Sequence, residues 1–160
     1  MAIRLACDGD YAAIARLRRQ TIRHVNARDY PDDVVERWSA KESAATLRAS
    51  ADLYRRLVAV ERGRIVGFCE HDLQGALSRL YVHKDHLRKG IGSRLLAAAE
   101  ASLKTLGFAE VTLEATITAR DFYAASGYKL IRRGADQGDR SEPVYRMRKR
   151  LYRRPPTSSM

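Results

Sequence analysis

Two glycines stand two residues apart in Arg88-Lys89-Gly90-Ile91-Gly92-Ser93, between an apolar run ending at Val82 and the most regularly patterned helical segment of the chain. The first turn of a helix leaves backbone N–H groups without intrahelical partners, and the helix dipole is positive there. Glycines at that point let an anion reach those donors, because no Cβ atom stands in the way. Arg88 and Lys89 add positive charge beside it. The chemistry this pattern offers is capture of a phosphate or pyrophosphate. A P-loop is excluded because G-x-x-x-x-G-K-[ST] is absent, and a G-x-G-x-x-G fingerprint fails at Leu95. Taken alone, the loop fits an anion site and a plain strand-to-helix turn equally well.

Other reactive side chains are sparse. Cys7 and Cys69 are the two cysteines, too far apart for a CxxC pair and too few for a disulfide framework. His83 and His86 flank the loop without metal-ligand spacing and read as surface residues, so no metal is expected. The formal net charge of +11 raises nucleic-acid binding as an alternative. Residues 128–154 hold ten Lys or Arg against three acids, yet contain no nucleic-acid-binding motif. A solvated basic edge is the favoured reading, and a nucleic-acid partner is not expected. With no long apolar run and no signal-peptide pattern at Met1-Ala2-Ile3-Arg4, the expectation is a reduced, cytoplasmic protein without a membrane partner.

The elements that must position the loop follow from patterning. Ile3 to Cys7 predicts a strand, and Asp8 or Asp10 then caps a helix with Ile14, Leu17 and Thr21 on one face. Pro31-Asp32-Asp33 opens a second helix carrying Val34 and Trp38. Ser39-Ala40-Lys41-Glu42 matches a capping box that restarts helix toward Ser50. Leu57–Glu61 and Arg64–Glu70 predict a hairpin around Arg62-Gly63, and Leu77–Val82 a further strand. The helix from Gly90 carries an apolar stripe of Leu96, Ala99, Leu103 and Leu106 and ends at Gly107. Val111–Ala115 is a strand, Phe122-Tyr123 lies on a short helix ended by Gly127, and Tyr128–Arg133 with Val144–Lys149 forms a last hairpin. The order β-α-α-β-β-β-α-β-α-β-β predicts an α/β fold, a mixed sheet covered by helices.

Leu80-Tyr81-Val82, the Arg88–Leu96 loop and helix start, Leu113-Glu114-Ala115-Thr116, and Ala119-Arg120-Asp121-Phe122-Tyr123-Ala124-Ala125-Ser126-Gly127-Tyr128 together resemble the GCN5-related N-acetyltransferase (GNAT) family. Tyr30 to Trp38 and Met147-Arg148-Lys149-Arg150-Leu151 resemble one bacterial branch of it. The chain departs from the family at Leu87, where Gln or Arg is usual, and at Thr116, where Asn is common. The resemblance covers nearly the whole chain except its tail; length predicts one domain, over residues 1–151, and the linker-like Pro155-Pro156-Thr157-Ser158-Ser159 predicts a disordered tail over 152–160. The resemblance implies a mostly antiparallel central sheet with helices on both faces. The implied activity is direct attack of an amine on acetyl-CoA in a ternary complex, with no resident metal. Leu80, Tyr81 and Val82 would then line the pantetheine and thioester, Arg88 to Ser93 (Lys89, Gly90, Ile91 and Gly92 included) would hold the pyrophosphate, and Thr116 and Tyr123 would contact the coenzyme.

Tyr123 matches the family's general acid; a Phe-Tyr pair on a short helix is also ordinary packing. Glu114, Glu70 and His71 are candidates for the base, and water could serve instead. Tyr30, Glu36 and Trp38, with Asp32 and Asp33 nearby, would form an aromatic and acidic mouth for a cationic amine, small molecule or peptide. A homodimer is compatible with the resemblance. A non-catalytic acyl-CoA sensor is the alternative from another functional class.

Overall fold

The computed structural model describes residues 1–24, 28–40, 42–135 and 143–152. The expected tail beyond Tyr152 and most of the loop between the last two strands lie outside the described residues. Seven strands form one sheet: β1 (Ala2–Leu5), β2 (Tyr54–Glu61), β3 (Arg64–Asp72), β4 (Ala76–Val82), β5 (Glu110–Ala115), β6 (Lys129–Ala135) and β7 (Pro143–Arg150). Their spatial order is β1-β2-β3-β4-β5-β7-β6, and every neighbouring pair is antiparallel except β4–β5.

Among the described residues five α-helices accompany the sheet: α1 (Tyr11–His24), α2 (Asp32–Ala40), α3 (Ala44–Ala49), α4 (Ile91–Thr105) and α5 (Arg120–Ala125). α1 and α3 bury Ile14, Leu17 and Leu47 against Val58 and Phe68, which point to one face of the sheet. α2 packs beside them through Val34, Val35 and Trp38. α4 and α5 cover the other face, where Leu95, Leu96, Ala99 and Leu103 meet Cys69, Leu77, Val111 and Leu113. The sheet is flanked on both faces, the architecture the sequence predicts.

Two local expectations are corrected. The helix after α2 starts at Ser43, not Ser39. Ser43 Oγ accepts from the Thr46 N–H while Thr46 Oγ1 accepts from the Ser43 N–H. Ser39 lies inside α2 and donates to the Glu36 carbonyl, and the Glu42 carboxylate is engaged by Arg18 and Arg79 rather than by a helix end. Leu106 is not part of the buried stripe of α4. The helix stops at Thr105 in a Schellman motif, with Phe108 N–H donating to Leu103 O and Gly107 N–H to Lys104 O. The stripe begins earlier instead, at Ile91 and Leu95.

The feature that shapes the site is the β4–β5 junction. These strands pair at only two positions, Ala76↔Thr112 and Leu77↔Leu113. Immediately afterwards β4 carries a bulge: Arg79 pairs with Glu70 and Leu77 with His71, leaving Ser78 without a partner on β3. A bulge bends its strand and strengthens its twist. From Ser78 onward β4 diverges from β5, opening a gap in the middle of the sheet.

Candidate active site

A groove of about 700 Å³ occupies this gap and runs to the N-terminus of α4. Leu80, Tyr81 and Val82 form one wall, and Glu114, Ala115 and Thr116 at the end of β5 form the other. Arg88, Gly90, Ile91, Gly92 and Ser93 close the end at α4. The helix begins at Ile91 with Gly90 as its N-cap, and no side chain caps it. Its first-turn N–H groups therefore have no side-chain acceptor and open toward the groove, as an anion site requires.

The two glycines serve different ends. Gly90 has φ +77°, a left-handed conformation costly for other residues, and a Cβ there would meet nothing. Gly92 supplies space: a Cβ there would lie 3.4 Å from Phe122 Cζ and 3.6 Å from Val82 Cγ2, two residues lining the groove. Arg88 also adopts a left-handed φ, +60°, so the loop holds a non-glycine residue in a sparsely populated conformation. Lys89 is exposed and is not among the lining residues.

Tyr123 enters the groove from α5. That helix ends in a second Schellman motif, with Tyr128 N–H donating to Tyr123 O and Gly127 N–H to Ala124 O. The Tyr123 ring is wedged between Phe122 and Tyr128, at centroid distances of 5.1 and 5.7 Å. Burial pushes its hydroxyl well above the usual tyrosine range. The phenol therefore stays protonated, with a proton available to donate.

Glu114 lines the groove and is exposed. Glu70 and His71 do not line it. Glu70 is buried, with Oε1 accepting from Arg56 Nε at 2.7 Å and Oε2 lying 3.7 Å from Arg79 Nε. His71 is buried on the α4 side, held between the Asp72 carbonyl and Ser102 Oγ. Among the acceptor candidates, Trp38 lines the groove while exposed Glu36 does not. Tyr30 stands behind Trp38 in an edge-to-face contact with centroids 4.7 Å apart.

Sequence reasoning overlooked Arg18 and Arg79, which line the same groove as the start of α4. One signal was available for Arg18: it lies one turn after Ile14 and one turn before Ile22, on the buried face of α1. Arg79 had none, since one arginine in a strand does not declare what it faces. Among the described residues no cluster of His, Cys, Asp or Glu is placed to hold a metal, and no helix is long and apolar enough to cross a membrane.

A family profile described as an acetyltransferase (GNAT) domain matches residues 26–151. The chain belongs to the GNAT acetyltransferase family. Solved structures agree. The GCN5-related N-acetyltransferase from Rhodopseudomonas palustris is 28% identical, with 94% of this chain and 95% of that one covered at a TM-score of 0.86. The PaiA N-acetyltransferase from Thermoplasma acidophilum, solved in complex with coenzyme A, is 24% identical, with 94% and 99% covered at 0.76. The ribosomal-protein-S18-alanine N-acetyltransferase from Escherichia coli shares the fold at 16% identity, with 99% of each chain covered and a TM-score of 0.72. A sequence comparison with curated proteins finds no match. Against the GNAT fold, the split β4–β5 pair and the uncapped start of α4 become parts of a single groove.

Proposed function

We propose that this GNAT protein transfers the acetyl group of acetyl-CoA to an amine by direct attack in a ternary complex. The observation that carries the reading is that one groove joins a helix start open to phosphate, an unpaired length of strand and a buried, protonated tyrosine. The pyrophosphate sits at the Ile91–Ser93 N–H groups with Arg88 beside it. The pantetheine arm lies along β4 between Ser78 and Val82, taking the hydrogen bonds that β5 no longer makes.

In the reaction the amine nitrogen forms a bond to the thioester carbon, and the carbonyl oxygen gains negative charge. Backbone N–H at Leu80 or Tyr81 stabilises that charge. Collapse breaks the carbon–sulfur bond, and the thiolate takes its proton from Tyr123. The attacking nitrogen gives up a proton to Glu114, directly or through water, since Glu114 is the carboxylate that lines the groove. Glu114 releases its proton to solvent and solvent restores the Tyr123 proton, so the net reaction is thioester plus amine to amide plus thiol.

Calorimetry with acetyl-CoA and a thiol-release assay across a panel of amines test the proposal. Binding with turnover supports it. Binding without turnover on any amine would make the protein an acyl-CoA sensor, and affinity for duplex DNA without coenzyme binding would replace the reading altogether.

A further inference from the structure

The groove end farthest from α4 is built from charge. Arg56, Glu70, Arg79, Glu42 and Arg18 form an alternating chain under α1 and α3. Arg56 Nε donates to Glu70 at 2.7 Å, Arg79 Nε lies 3.7 Å from the other Glu70 oxygen, and Arg79 also donates to Glu42. Arg18 Nε lies 3.4 Å from the second Glu42 oxygen. Three guanidinium groups face two carboxylates, so the chain carries one excess positive charge. Arg56 is committed at the far end, donating to the Leu47 carbonyl and to Ser50 Oγ. Arg18 and Arg79 are the members that reach the groove lining, and Arg79, 32% exposed, is the least buried of the five. The excess charge opens there.

An unsatisfied donor stands at the same place. Trp38 Nε1 is buried without a hydrogen-bond partner, and Trp38 lines the groove beside Arg18, whose Nε faces Glu42. Trp38 is only 7% exposed. Arg18 Nη1 donates to the Trp38 carbonyl at 2.6 Å, which fixes the two residues as a unit. An orphaned buried N–H is costly, and a ligand oxygen would satisfy it. Against these donors, Glu114 on β5 is the one carboxylate residue in the lining among the described residues.

We propose that the acceptor amine carries a carboxylate, as a free amino acid does, and that Arg18, Arg79 and the Trp38 N–H receive it. The inference rests on the acetyl-transfer reading above. It names the substrate class that the site favours, and it disfavours polycationic acceptors, which would meet excess positive charge. The carboxylate anchors at Arg18 and Arg79 while the amine, in its neutral form, faces the thioester beside Leu80. Charge-assisted hydrogen bonds are the stronger ones, and planar guanidinium groups suit a carboxylate.

The test compares matched triplets: amino acids, their carboxamides, and the amines left by removing the carboxyl group, all assayed by thiol release. The expected kcat/KM for the carboxylate-bearing member exceeds the other two by roughly tenfold to a hundredfold. Trp38→Phe keeps a ring and deletes only the N–H donor, and Arg79→Gln keeps a polar group and deletes the charge. Both are expected to reduce the preference ratio about tenfold, chiefly through KM, while acetyl-CoA affinity measured by calorimetry stays within twofold. If the decarboxylated amines or carboxamides are the better acceptors, the inference is overturned while acetyl transfer stands. An unchanged ratio in both folded variants overturns the assignment of the residues. Acetyl-CoA binding with no amine acetylated overturns the proposed function, and this inference with it.

Discussion

The hydroxyl of Tyr30 accepts a hydrogen bond from the backbone N–H of Ile117 at 2.7 Å. Tyr30 precedes α2 on the β4 side of the split sheet, and Ile117 follows β5 on the other side. Thr118 Oγ1 donates to Asp29 at 2.7 Å alongside it. Two bonds between residues nearly ninety positions apart tie the lips of the groove together. Tyr30 thus acts by holding the groove's shape, and Trp38 is the aromatic side chain that reaches the lining.

Tyr30→Phe is expected to keep the ring contact with Trp38 and orphan the Ile117 N–H. Leaving a partly buried donor unpaired costs about 1 kcal/mol. For a domain of this size that is a fall in Tm of roughly 2–4 °C. The KM for the acceptor should rise severalfold because the lips are no longer tied. A variant with wild-type Tm and KM would show that the tie contributes nothing.

Gly92→Asp should abolish acetyl-CoA binding and leave the far-ultraviolet circular dichroism spectrum intact. The new side chain starts 3.4 Å from Phe122 and brings negative charge to the helix start that would hold phosphate. Gly90→Ala makes the opposite demand, since open space surrounds it but φ is +77°. It is expected to cost about 1 kcal/mol of stability through strain, with a smaller effect on binding. If the two substitutions behave alike, the division of labour between these glycines is wrong.

Tyr123→Phe is expected to lower kcat by about 10² or more while acetyl-CoA affinity changes little. Burial holds the folded hydroxyl above its unfolded value. The hydroxyl therefore stays protonated, and the wild-type profile should show no alkaline limb from Tyr123 below about pH 10. Tyr128 is raised as well, by burial first and then by Glu100. Stability from both groups is fully present below the unfolded tyrosine pKa and drains away as pH climbs toward the folded values. In denaturant titrations from pH 8 upward, the share of the fall in midpoint that belongs to these two tyrosines should accordingly set in only beyond about pH 10.

Glu70→Gln is expected to be a stability variant rather than a catalytic one. It strips a buried partner from Arg56 and Arg79 and should cost about 3–5 kcal/mol. Enzyme that remains folded, kept cool, should retain its pH profile. Loss of the acidic limb in folded Glu70→Gln would return Glu70 to the role of base.

What the sequence disclosed, and what it hid, follows from the reach of each signal. α4 was legible because its stripe recurs with the helical period and a glycine ends it. The loop at the start of α4 was legible because its residues are contiguous. The cap at Ser43 was missed because Ser39-x-x-Glu42 offers the same pattern four residues earlier. Only the tertiary pull of Arg18 and Arg79 on Glu42 decides between them. The Arg56-to-Arg18 chain draws on positions 18, 42, 56, 70 and 79, which no local pattern links to one another. Glu70 and Glu114 looked equivalent as strand carboxylates. Packing of α1 and α3 over β3 buries the first, whereas Glu114 on β5 stays exposed at the groove.

The pairing of β6 with β7 sets Lys129 opposite Arg148 and Arg132 opposite Arg146. Like charges directly across a ladder oppose the pairing they sit on. The register is enforced instead by the buried side chains of Val144 and Met147. Mobile counterions crowd such a surface and mute its repulsion, over a Debye length that shrinks to about 10 Å at 0.1 M salt. Surface ion pairs usually leave a protein weaker in concentrated salt, but this hairpin should tighten. Its amides are expected to exchange with solvent more slowly as ionic strength rises, so the edge of the sheet behaves as a gauge of the ionic medium.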